Sequence, residues 1–105
     1  MGEALLVPPH WPTEVSNGVL RAKRRGRVTE SEVVYFLSNL RSFNVAIYIW
    51  EDLSLLHDVR RLAERHNLTA YDAAYLELAI RARLPLASLD ATLITAATIE
   101  NVAVP

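Results

Sequence analysis

Apolar and polar positions along this chain repeat with two different periods, and the switches between them mark out its elements. Residues 5–7, Leu-Leu-Val, form a short apolar run that Pro8-Pro9 closes, since proline neither continues a helix nor donates to a ladder; a brief strand is predicted. Pro12 and Thr13 suit a helix entry. Behind them Val15, Val19, Leu20 and Ala22 make an apolar stripe that ends in a basic turn and Gly26, a C-terminal cap. Thr29-Glu30-Ser31-Glu32 has capping-box spacing, and Val33, Phe36, Leu37 and Leu40 follow at i, i+3, i+4 and i+7. This predicts a second helix committed to the core. Residues 45–50 are apolar throughout and largely β-branched or aromatic, as in a strand covered on both faces.

Leu55, Leu56, Val59, Leu62 and Ala63 predict a third helix, from Asp52 or Ser54 to His66, with Asn67 as a left-handed terminator. A fourth starts at Thr69 and ends before Pro85. Residues 86–89 read as a strand, 90–98 as a short helix and 102–104 as a last strand. Strands alternating with helices in this way predict an α/β fold, a parallel sheet with helices on both faces. Ligands of such sheets sit beyond the carboxyl ends of the strands.

Composition narrows the class. The chain has 105 residues, 51% of them hydrophobic, with 12 acidic and 11 basic side chains and a formal charge of -1. This fits one compact domain and excludes a disordered chain. With no cysteine, a disulfide framework, a thiolate metal site and a thiol nucleophile are all excluded, and a reducing cytoplasm is the natural compartment. The run at 45–50 is far shorter than the roughly 20 residues that span a bilayer. Leu6 stands where a myristoylation signal wants Ser or Thr, and no signal-peptide pattern precedes it, so no membrane association is expected. The near-zero net charge hides an uneven distribution, because Arg21, Lys23, Arg24, Arg25 and Arg27 fall within one short stretch.

Three acids stand at predicted helix starts: Glu14, Asp72 and Asp90. Singly, each has an ordinary explanation, since a carboxylate in a first turn satisfies free backbone donors and suits the positive end of the helix. Together with the topology they suggest more, because strand-to-helix junctions lie on one edge of a parallel sheet. That edge would bring Glu14 and Asp90 toward a common crevice, which Asp72 joins if its helix docks there. Clustered carboxylates repel, and a cation that neutralises them through oxygen alone is Mg²⁺ or Mn²⁺ rather than zinc. Such an ion commonly activates water for attack on phosphorus, and the basic turn offers a phosphate backbone a place to land. Asn17 shares a helix face with Glu14 and could bond that carboxylate or a phosphate. His10, His57 and His66 have no metal-ligand spacing, and no Gly-x-Ser-x-Gly elbow is present. Trp11, Trp50, Tyr71 and Tyr75 are assigned to packing.

Residues 6–17 (Leu-Val-Pro-Pro-His-Trp-Pro-Thr-Glu-Val-Ser-Asn), 68–79 (Leu-Thr-Ala-Tyr-Asp-Ala-Ala-Tyr-Leu-Glu-Leu-Ala) and 84–90 (Leu-Pro-Leu-Ala-Ser-Leu-Asp) resemble the PIN-domain ribonucleases of the VapC toxin kind, in order along essentially the whole chain. The resemblance implies a single domain over 1–105, a three-layer α/β/α sandwich with a short parallel sheet. It implies an acidic cluster that binds Mg²⁺ or Mn²⁺ and cleaves RNA, in a homodimer restrained by a cognate antitoxin. Glu14 matches the family's second acid, Asp72 its third and Asp90 its fourth, with Ser88 at a small hydroxyl position; Arg24 and Arg25 are candidates for RNA contact.

The family's opening strand, which ends in an aspartate and lies centrally in the sheet, has no counterpart here. Glu3 precedes the first strand and therefore lies toward its amino end, away from the crevice. The strands at 5–7 and 86–89 would flank the gap, and unpaired buried backbone groups cost about 1 to 3 kcal/mol each. The resemblance thus implies a longer natural chain and, for these 105 residues, pairing of the flanking strands or dimerisation. The expectation is an impaired nuclease. The alternative is a non-catalytic remnant that dimerises or binds an antitoxin. A small DNA-binding domain reading through the second helix is opposed by that helix's commitment to the core.

Overall fold

The computed structural model describes residues 5–50 and 52–105; Glu3 lies outside them. The chain divides into two compact units, Met1–Tyr48 and Ile49–Pro105. The described residues form five helices and a two-stranded parallel sheet, so the class is the α/β one expected.

The first unit holds β1 (Leu5–Val7), α1 (Trp11–Arg24), α2 (Glu30–Leu40) and β2 (Val45–Ile47). The strands pair in parallel with Leu5 opposite Val45 and Val7 opposite Ile47. Between the helices, Gly26 adopts φ 70°, the left-handed conformation that a side chain disfavours. It permits two bonds that close the helix end, Arg27 N–H to the Ala22 carbonyl at 2.9 Å and Gly26 N–H to the Lys23 carbonyl at 3.0 Å. The Thr29 hydroxyl then accepts from Glu32 N–H at 3.1 Å, while the Glu32 carboxylate accepts from Thr29 N–H at 3.0 Å. Reciprocal capping of this kind starts α2 where the sequence places it.

Two expectations for this unit fail. The strand predicted over 45–50 stops at Ile47, and Ile49 is 74% exposed rather than covered. The reason lies in its neighbour: donors from β1 alternate, and Pro9 stands where the next would fall, so the bond from Tyr48 N–H to the Val7 carbonyl is the last rung. The apolar stripe of α2 is not committed to a core either. The helix buries no residue, Phe36 and Leu37 are about two-fifths exposed or more, and Val33 and Phe36 line an open apolar groove with Val15, Val19 and Ala22 of α1.

The second unit is built from α3 (Ser54–His66), α4 (Ala70–Ala82) and α5 (Ala91–Ile99). Asn67 ends α3 at φ 54°, as its sequence position suggests, and Arg83 ends α4 in the same conformation. Val59 packs with Ala73 and Ala74, small residues that let α3 approach α4 closely. Leu76 and Ala79 of α4 pack with Leu86 and with Leu93, Ala96 and Ala97 of α5. The strands predicted at 86–89 and 102–104 do not form among the described residues. A bond from Leu86 N–H to the Ala103 carbonyl at 2.9 Å joins the two segments, but one bond is not a ladder, and Leu89 is fully exposed. Of the aromatic residues assigned to packing, Tyr71 is 64% exposed.

Candidate active site

Glu14 stands in the first turn of α1, a helix opened by proline after His10. Its N–H donates to the His10 carbonyl at 3.0 Å, and its partly exposed carboxylate lies 3.5 Å from His10 Nε2. Asn17 follows one turn later, exposed on the same face. Arg24 and Arg25, at the end of α1 and its cap, are exposed and form no ion pair among the described residues. Lys23 differs from them, being paired with Glu30.

Asp72 and Asp90 belong to the other unit and occupy different kinds of position. Asp90 is the N-cap of α5: one carboxylate oxygen accepts from Leu93 N–H at 2.8 Å. Its own N–H donates to the Ser88 hydroxyl at 3.0 Å, which fixes the backbone from which the carboxylate projects. Asp72 lies in the first turn of α4, yet it does not cap that helix. Thr69 does so, its hydroxyl accepting from Asp72 N–H at 3.1 Å. The half-buried Asp72 carboxylate has no hydrogen bond or ion pair among the described residues. All three acids therefore stand at helix starts, Glu14 in one unit and Asp72 with Asp90 in the other. Among the described residues, no three His, Asp or Glu side chains are grouped within either unit so as to hold a metal ion.

The structure adds charged groups that sequence reasoning passed over. Glu77 is buried on α4, and its two oxygens accept from Arg81 at 2.8 and 3.1 Å. The i, i+4 spacing could have revealed this pair. His66, at the end of α3, lies 2.6 Å from the Glu100 carboxylate, which also meets Arg65 at 3.2 Å. No local spacing announces a contact across 34 positions.

The PIN domain family model matches residues 1–98. The chain belongs to the PIN-domain family. This PIN domain is 36% identical over 77 residues, 73% of its length, to a protein named Ribonuclease VapC3 from Pyrobaculum aerophilum. The match spans 59% of that relative's length. Glu14, Asp72 and Asp90 each offer oxygen donors only, the donor type that hard divalent cations take. The Asp72 carboxylate, half-buried and unpaired among the described residues, fits such a role. No described helix of the PIN domain is long and apolar enough to cross a membrane.

Proposed function

We propose that this PIN domain is a cytoplasmic, metal-dependent endoribonuclease toxin, active on RNA, dimeric, and restrained by a cognate antitoxin, with Glu14, Asp72 and Asp90 as the ligands of Mg²⁺ or Mn²⁺. The observation that carries the reading is the carboxylate of Asp72. An acid that served only its helix would accept from backbone donors, as Asp90 does; at α4 that task falls to Thr69. Among the described residues, Asp72 makes no contact that its helix needs beyond a favourable interaction with the helix dipole, worth about 0.3 to 1 kcal/mol.

The bound ion supplies Lewis-acid charge and a water of lowered pKa. The chain's own residues do the rest. Glu14 and Asp72 bring negative charge to the ion, and Asp90 adds the oxygen left over from its bond to Leu93 N–H. Ser88 holds Asp90 in place, and Asn17 offers an amide to a phosphate or to Glu14.

Thermal unfolding across a Mn²⁺ titration tests the reading. A ligand held by the folded state alone stabilises by RT ln(1 + [L]/Kd), about 2.7 kcal/mol at a hundredfold excess over Kd. The melting temperature of the parent is expected to climb with Mn²⁺. A flat response would favour the alternative, a non-catalytic module that binds an antitoxin or a second copy. The exposed apolar side chains of Val34, Tyr35 and Phe36 on α2 are what favour that alternative.

A further inference from the structure

The basic stretch at the end of α1 is short of counter-charge. Lys23 is taken by Glu30, and Glu32 is turned back onto the Thr29 backbone, so both acids of the following helix start are already engaged. Arg21, Arg24 and Arg25 remain exposed and without an ion pair among the described residues. Their helical phase gives this excess a direction. Glu14, Asn17, Arg21, Arg24 and Arg25 fall at i, i+3, i+7, i+10 and i+11, which places all five on one face of α1. Val15, Val19 and Ala22, which line the groove with α2, lie on a different face. At 1.5 Å per residue, Arg21 follows Glu14 along the axis by about 10 Å and Arg25 by about 16 Å.

We propose that this face of α1 is a track for single-stranded RNA, with the scissile phosphate at the Glu14 end and neighbouring phosphates of the same strand held by Arg21, Arg24 and Arg25. The proposal rests on the nuclease reading for the role of Glu14, while the binding of the strand is separable from it. Guanidinium groups suit the site, because each can grip a phosphate through two parallel N–H donors. The helix C-terminus favours their positive charge before any strand arrives. Lys23, half a turn round the helix from Glu14, lies off the track, and Glu30 pairs with it there.

The test measures binding of a single-stranded RNA oligonucleotide to the full chain by fluorescence anisotropy across a salt series. Phosphate contacts release counterions, and for single strands log K falls with log salt by about 0.7 per contact. Substituting Arg21, Arg24 and Arg25 together by Gln is expected to flatten the slope by about 2, and to weaken binding about a hundredfold near 0.1 M salt. Lys23→Gln should leave the slope unchanged. In cleavage, the triple variant should raise KM on the oligonucleotide at constant kcat and behave like the parent on a dinucleotide too short to reach the arginines.

A triple variant with the parent's slope and affinity would overturn the proposal, even if the parent cleaves RNA. So would arginine-dependent binding of polyglutamate by a chain that does not bind RNA, which would assign the face to an acidic protein. Arginine-dependent RNA binding in a chain that cleaves nothing would sustain the track and sink the nuclease reading alone.

Discussion

Asp72→Asn is expected to lower metal-dependent RNA cleavage by at least about a hundredfold while leaving the fold as stable as the parent to within about 1 kcal/mol, the size of the lost helix-dipole interaction. The two halves of this expectation come from different parts of the structure. Asparagine keeps the size of the side chain and removes its charge, which weakens the attraction of that position for a hard cation. The start of α4 keeps its cap through the change, because Thr69 and not Asp72 accepts the free N–H there. Cleavage rates and urea midpoints measured side by side separate a ligand from a structural acid. A large loss of stability, or cleavage at the parent's rate, would remove Asp72 from the site. Asp90 gives a less clean experiment, since the same carboxylate caps α5.

The largest effect on stability is expected at Leu76. It is fully buried and lies where α4 meets Leu86 and α5. Leu76→Ala removes apolar contacts and leaves a cavity, at a cost of about 2 to 5 kcal/mol. A domain of this size holds a total of about 5 to 15 kcal/mol, so the variant should unfold at a far lower urea concentration or be partly unfolded without it. Leu89→Ala is the matched control: Leu89 is fully exposed, and its truncation should change stability by less than about 0.5 kcal/mol. Equal losses at the two positions would mean that the core does not lie where Leu76, Leu93 and Ala96 place it.

What could be read along the chain was local. Thr29 and Glu32 cap α2 through bonds that span three residues, and Asn67 takes its left-handed turn whatever lies elsewhere in the fold. Helix ends near Pro12, Gly26 and Pro85 follow from single-residue backbone chemistry in the same way. Strands are different, since each is defined by a neighbour remote in the chain. Residues 45–50 have the side chains of a buried strand, but the ladder lasts only as long as β1, whose next donor Pro9 removes. Residues 86–89 and 102–104 share one backbone bond and no ladder among the described residues.

The apolar positions of α2 were legible as a helical stripe but not as an exposed one, because periodicity gives the face and not what covers it. For the candidate site, the helix starts of Glu14, Asp72 and Asp90 were visible in the sequence. That Thr69 relieves Asp72 of capping, while Asp90 keeps that duty, required the side-chain bonds. The alignment of Glu14 with Arg21, Arg24 and Arg25 was present in the numbering from the start. It acquires meaning once Lys23 is seen to be occupied by Glu30.

The central claim of the proposed function is that Glu14, Asp72 and Asp90 are ligands of a divalent ion. Mn²⁺ binding followed by electron paramagnetic resonance, on the parent and on Glu14→Gln, Asp72→Asn and Asp90→Asn separately, tests it most directly. The proposal requires each substitution to weaken Mn²⁺ binding, by about tenfold or more. Binding that Glu14→Gln leaves untouched, or no binding by the parent, would contradict it.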